Sequence, residues 1–276
     1  MTLLVQISDT HFGTESAPVV DALVRTVHAL APTLVVLSGD LTQRARPAQF
    51  RAARAFVERL QAPATLVIPG NHDISLFNIA SRLFNPYAGH RKAFGPELEP
   101  CFESDALLVV SVKTTRRYLH ERGVVSTVQV ERVARRLEQA RAAQLRVVVT
   151  HQPVHVTRPQ DADELLRGHE RAVRRWAAAG ADLILGGHSH LPFVRPLHEH
   201  HAGLARRVWV VQAGTAVSSR LRHGAVNSVN VVRSLGAAGK ARRCAVERWD
   251  YLPGAETFAP VERTEMDLDA HAGAPR

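Results

Sequence analysis

The sequence is poor in the features that would place it in several large classes. Aromatic residues make up 5% of its 276 positions, and no basic tract alternates with them, so it has no stacking platform for a single nucleic-acid strand. Its two cysteines, Cys101 and Cys244, lie far apart and match no metal or redox spacing, which leaves a reduced, cytoplasmic setting as the expectation. No apolar run approaches the roughly 20 residues of a membrane-spanning helix. Met1 leads straight into Leu3-Leu4-Val5-Gln6-Ile7, without the basic region, apolar stretch and cleavage site of a signal peptide. Lysine is scarce too: Lys92, Lys113 and Lys240 are the only three among 35 basic residues, and the rest are arginines. The net charge of +9 is spread over stretches such as Arg132-Val-Ala-Arg135-Arg136 and Arg171-Ala-Val-Arg174-Arg175. These read as solvated helix faces and not as a nucleic-acid tract, although the charge helps to attract an anionic substrate.

What is present is a repeated strand-then-helix rhythm. Short, continuous apolar runs at 3–7, 34–37, 65–68, 107–112, 147–149 and 183–185 suit strands covered on both faces. Helical patterns fall at 19–30, at 48–60 behind Pro47, at 128–144 and at 161–179, with Gly180 placed as a left-handed cap. Beyond 185, strand-like runs at 208–212, 228–232 and 245–249 have no helices between them, which predicts a second sheet or an antiparallel edge to the first. The length allows one large core. Residues 1–253 are read as a single domain of layered α/β class. The Ala/Pro/Glu-rich, aperiodic stretch 254–276 is read as a C-terminal tail with partial disorder.

The chemistry lies just past the apolar runs. They end in Asp9-Thr10-His11, in Gly39-Asp40, in Gly70-Asn71-His72-Asp73, in Thr150-His151 and in Gly187-His188-Ser189-His190. Carboxyl ends of strands form the ligand-binding edge of layered α/β folds, so five such tips are expected to converge. Any one tip alone is better explained as a surface turn or a cap; the ordered set is not. Carboxylate and imidazole without nearby thiolate suit Mn, Fe or Zn. Seven candidate ligands, Asp9, His11, Asp40, Asn71, His151, His188 and His190, exceed the needs of one ion and suit two that share a carboxylate. Metals about 3.5–4 Å apart are the arrangement that serves phosphoester hydrolysis.

This ordered set, spanning residues 9 to 190, resembles the calcineurin-like metallophosphoesterase superfamily. Ile7-Ser-Asp-Thr-His-Phe12, Ser38-Gly-Asp-Leu-Thr42 and Gly214-Thr-Ala-Val-Ser-Ser-Arg220 are similar to its class III cyclic-nucleotide phosphodiesterase branch. The resemblance implies a four-layer α/β/β/α sandwich with a dinuclear site at the strand C-terminal edge. One ion would be bound by Asp9, His11, Asp40 and His190, the other by Asp40, Asn71, His151 and His188. A hydroxide between them would attack phosphorus, with His72 facing the substrate and Asp73 orienting an imidazole. The alternatives are a structural hydrogen bond for His72 and a helix N-cap before Ile74-Ser75-Leu76 for Asp73. Arg220 and Arg222 are candidate phosphate partners or salt-bridge formers; His198, His200 and His201 read as a solvated loop cluster. No tyrosine stands among the matched ligands, which speaks against a charge-transfer metal site of the purple-acid-phosphatase type.

The implied enzyme is a metal-dependent phosphoesterase acting on small-molecule phosphodiesters, with 3′,5′-cyclic nucleotides as leading substrates. A phosphomonoesterase, a glycerophosphodiesterase, a catalytically silent metal-bound interaction module and a nuclease are the competing readings. The sequence leaves a homo-oligomer open.

Overall fold

The computed structural model describes residues 2–76, 78–222, 224–238 and 241–270. Segments of Val, Leu and Ile without polar interruption cannot present either face to water, and each becomes a strand buried on both sides. The strands are β1 (Thr2–Ile7), β2 (Leu34–Leu37), β3 (Thr65–Val67), β4 (Cys101–Glu103), β5 (Leu107–Ser111), β6 (Leu145–Val149), β7 (Leu183–Gly186), β8 (Phe193–Pro196), β9 (Trp209–Gln212), β10 (Ser228–Ala238), β11 (Ala241–Leu252) and β12 (Thr257–Leu268). The helices are α1 (Ala17–Leu30), α2 (Pro47–Leu60), α3 (Ile79–Phe84), α4 (Ala88–Phe94), α5 (Thr127–Glu138), α6 (His169–Ala179) and the single turn α7 (Leu197–His200).

Two six-stranded sheets result, ordered β12-β11-β10-β1-β2-β3 and β4-β5-β6-β7-β9-β8. Alternation along each strand sends side chains to two different cores. In β1, Leu4 faces Val36, Val109, Val147 and Leu185 between the sheets. Its neighbours Leu3, Val5 and Ile7 face outward, against Leu23 and Val27 of α1 and Phe56 of α2. On the other outer face, α5 and α6 cover Leu108, Val110 and Val148. Trp176 of α6 is fully buried there, and its indole N–H donates to the Val130 carbonyl at 3.1 Å. The layers are therefore α/β/β/α, as expected. Among the described residues no helix is long and apolar enough to cross a membrane.

β1, β2 and β3 are parallel, as are β5, β6, β7 and β9, so the carboxyl ends of these strands face one way within each sheet. Both outcomes predicted beyond residue 185 occur. β9 joins the second sheet, and β10 extends the first sheet antiparallel to β1, with β11 antiparallel to β10 beyond it.

Three expectations are corrected. The helix expected over 128–144 ends at Glu138, where Ala140 and Gln144 donate backbone bonds to Leu137 and Arg141 in successive turns. The helix expected over 161–179 divides into a 3-10 turn, Pro159–Glu164, and α6; Gly168 between them is left-handed, as is Gly180, which ends α6 as expected. The expected tail contains β12, paired with β11 from Leu252↔Thr257 to Arg242↔Leu268. As an edge strand it tolerates Pro260, which falls at the register shift opposite Trp249, and its exposed face is charged. Phe258, Met266 and Leu268 bury its inward positions. Residues 271–276 of that tail lie outside the described residues.

Candidate metal centre

The loops leaving β1, β2, β3, β6 and β7 meet at one edge of the sandwich. Asp9, His11, Asp40 and His151 are at most 1% exposed, and Asn71, His188 and His190 are buried as well. His190 Nε2 is 3.4 Å from Asp9 Oδ1, His11 Nε2 is 3.8 Å from the same oxygen, and the two imidazole nitrogens are 3.2 Å apart. Asp40 reaches both halves of the site. Its Oδ2 lies 3.7 Å from His11 Nε2, and its Oδ1 lies 3.3 Å from His151 Nε2. Asn71 Oδ1 is 3.1 Å from that same His151 nitrogen. Donor atoms of Asp9, His11 and His190 lie within 4.8 Å of one another, as do those of Asp40, His151 and His188. All seven residues expected to converge do so.

The donor chemistry fits two cations. His151 Nδ1 lies 2.9 Å from the Ser38 carbonyl, and His190 Nδ1 lies 2.7 Å from the Arg220 carbonyl. Each carbonyl can only accept, so in the neutral rings the proton is assigned to Nδ1 and the lone pair to the inward Nε2. Nε2 of His151 then faces Asn71 Oδ1, lone pair against lone pair in a buried space, and the Nε2 lone pair of His190 has His11 Nε2 as its neighbour. His11 Nδ1 has no partner either. Such an arrangement costs free energy until positive charge enters it. Among these rings His151 stands nearest a carboxylate, with its Nε2 3.3 Å from Asp40 Oδ1. Burial alone would push this imidazole down, but the Asp40 carboxylate outweighs it and raises the group to about 9. Burial holds His188 down to about 3 and lowers His11 well below the ordinary range.

The backbone bends to aim these groups. Asp9, His11, Asp40, His188 and His190 all have left-handed φ, between 42° and 73°. Non-glycine residues avoid this region, and each such residue costs on the order of 1 kcal/mol unless its surroundings fix it. Here interlaced loops do so: the amides of Asp9, His11 and Phe12 donate to the carbonyls of Gly39, Asp40 and Leu41. The His188 amide donates to Asp9 Oδ2 at 3.0 Å and the His72 amide to Asp40 Oδ1 at 2.9 Å. Gly39 has φ +100°, and a Cβ there would overlap the His151 ring.

His72 is partly exposed on the floor of a cleft of about 450 Å³. Its Nδ1 lies 2.9 Å from the Gln43 carbonyl, and Arg220 reaches its Nε2 at 3.2 Å while donating to the Gln43 side chain at 3.0 Å. Asp73 reaches no imidazole and is not the N-cap of a helix before Ile74, so both readings are corrected; within the 3-10 turn Asn71–Asp73 its carboxylate turns back to the Gly70 amide. Its buried carboxylate accepts from the amides of Gly70, Leu41 and Thr42 and from the Thr42 hydroxyl, at 2.8–3.1 Å, tying the Asp40 loop to the Asn71 turn. Burial and the Asp40 charge push it up to about 6.

The cleft mouth holds residues that sequence reasoning did not single out: His120, Glu121, Arg122, Asp163 and Glu164. They come from loops without a motif, so no signal marked them. Arg222 pairs with Glu164 at 3.1 Å and Arg122 with Asp163 at 2.7 Å. Of the other histidines, His200 stacks on His155 with ring centroids 4.7 Å apart, and His198 packs edge-on against Trp209. Among the described residues, neither these nor His201 belong to a convergent donor group.

Comparison with known proteins agrees with this geometry. A probable cyclic nucleotide phosphodiesterase of Synechococcus sp. is 28% identical over 218 residues, covering 71% of this chain and 76% of that protein. The fold matches a dimetal phosphatase of Danio rerio (TM-score 0.63, 13% identity, 97% of this chain and 99% of that one). It also matches a purple acid phosphatase from yellow lupin seeds (TM-score 0.70, 11% identity), with 97% of this chain spanning 54% of the lupin chain. At such identities the two solved structures speak for the fold alone. The family model for calcineurin-like phosphoesterases matches residues 2–192, the segment that carries all seven converging side chains, and the chain belongs to that family.

Proposed function

We propose that the protein hydrolyses phosphodiesters at this site, with 3′,5′-cyclic nucleotides as the leading substrates. The observation that carries the reading is the shared Asp40, whose two carboxylate oxygens face two separate sets of buried lone-pair donors. In this reading Asp9, His11, Asp40 and His190 hold one cation and Asp40, Asn71, His151 and His188 the other, Mn, Fe or Zn serving alike. Two such ions supply Lewis acidity, lowering the pKa of a water toward neutrality and offsetting charge on the phosphoryl oxygens.

The chain's own residues do the rest. His72, at the cleft floor beside Asp40, is placed to donate a hydrogen bond or a proton to a substrate oxygen. Arg220 bridges Gln43 and His72, so it fixes the imidazole and offers cationic N–H groups to the phosphoryl group. Asp73 acts at a distance by holding the two loops that carry Asp40 and Asn71. At the mouth, Arg44, Arg122, Arg220 and Arg222 are set against Glu121, Asp163 and Glu164. That near balance suits the single charge of a diester better than the double charge of a monoester. The likeness to the Synechococcus protein and the motifs at 7–12, 38–42 and 214–220 support the cyclic-nucleotide choice.

The test is a substrate panel with Mn²⁺: cyclic AMP, bis-p-nitrophenyl phosphate and p-nitrophenyl phosphate. The proposal expects turnover of both diesters above that of the monoester. Background rates on cyclic AMP would remove the nucleotide assignment, and a preference for the monoester would overturn the diesterase reading.

A further inference from the structure

We propose that the groove between α2 and α4 binds a small organic anion with an apolar body, at a site separate from the metal cleft. The groove has a volume of about 920 Å³, in the range of small-molecule sites, and shares no lining residue with the cleft. Its apolar surface comes from Pro47 and Ala55 of α2 and Phe94 of α4, with the buried Phe50 ring beneath them. Its charge is one-sided. Arg51, Arg54, Arg91 and Lys92 line it against one carboxylate, Glu58, which Arg54 already engages at 2.7 Å. Arg54 also donates to the Ala93 carbonyl and Arg91 to the Asn85 side chain, so both are held in place. Arg51 and Lys92 have no hydrogen-bond or ion-pair partner among the described residues.

The occupant follows from what is left unsatisfied. A neutral hydrocarbon would cover the phenyl surface and leave two cations facing it. A bare inorganic anion would neutralise the cations and leave the apolar floor wet. A carboxylate or phosphate ester on an apolar body answers both at once: the head pairs with Arg51 and Lys92, and the body covers Ala55 and Phe94.

Isothermal titration of the 276-residue chain with decanoate, acetate and 1-octanol tests this. Decanoate is expected to bind at one site, with acetate and 1-octanol at least about tenfold weaker. The double variant Arg51→Glu/Lys92→Glu should weaken decanoate at least tenfold, whereas Arg122→Glu, at the mouth of the metal cleft, should leave its affinity in place. The proposal is overturned if decanoate gives no binding, if 1-octanol or acetate matches it, if the double charge reversal leaves its affinity unchanged, or if Arg122→Glu weakens it equally.

Discussion

His90 carries a stability cost that pH exposes. It lies in α4 with no solvent exposure, and neither ring nitrogen has a partner. Burial pushes it down to about 3, from an ordinary value near 6.5, with the Arg91 charge adding to the effect. The sign follows from proton binding. Below about 6.5 the unfolded chain takes up a proton that the folded chain refuses until about 3, so folding stability falls as pH drops through that window. At pH 5 the gap is about 1.5 pH units, and at about 1.4 kcal/mol per unit the loss is on the order of 2 kcal/mol. At pH 7.5 it is nearly zero. His90→Phe removes the titrating group while keeping a ring beside Phe94, whose centroid lies 5.3 Å away. Urea unfolding of chelator-treated protein at pH 7.5 and pH 5 gives the difference directly. The parent should lose about 2 kcal/mol more than the variant between the two pH values. Any constant packing cost of the larger ring cancels in that comparison. Parallel losses in the two proteins would mean that His90 does not carry this cost.

Other outcomes follow from the metal site. Gly39→Ala drives a methyl into the His151 ring at a left-handed backbone position, and activity should fall to background although the outer cores are untouched; near-parental turnover would contradict the geometry. Asp73→Asn gives up charge and two acceptor positions in a four-bond anchor, and metal affinity measured by competition with a chelator should drop about 10–100-fold, the usual cost of losing a group that supports ligands. Arg220→Lys keeps the charge but cannot span Gln43 and His72 together, so kcat should fall by about tenfold or more in steady-state assays of bis-p-nitrophenyl phosphate.

The strand tips were legible because a dinuclear site needs rare donors at every chain reversal, and Asp9, Asp40, Asn71, His151 and His188 each follow an apolar run. The parallel core was legible for a related reason: a run such as Val147-Val148-Val149 survives only when buried on both faces. β12 was not. Its inward positions are few, Pro260 breaks the alternation, and an edge strand carries charge on its open side without penalty. The role of Asp73 was hidden because its four partners come from loops about 30 residues away or from its own turn, and three of them are backbone amides, which carry no residue signature. The left-handed backbone at five of the converging residues had no signal either, since aspartate and histidine there are held by contacts and not by their own preference. The cleft mouth, from 120–122 and 163–164, depends on loop packing alone.

On the proposed reading one carboxylate, Asp40, serves two cations that together make the site work. Elemental analysis of protein purified without chelator, alongside turnover of bis-p-nitrophenyl phosphate, decides whether it does. The parent should carry about two ions per chain, and Asp40→Asn, with an unchanged circular dichroism spectrum, should lose metal from both positions along with its activity. An Asp40→Asn protein that keeps both ions and parental turnover would mean that no shared carboxylate is needed.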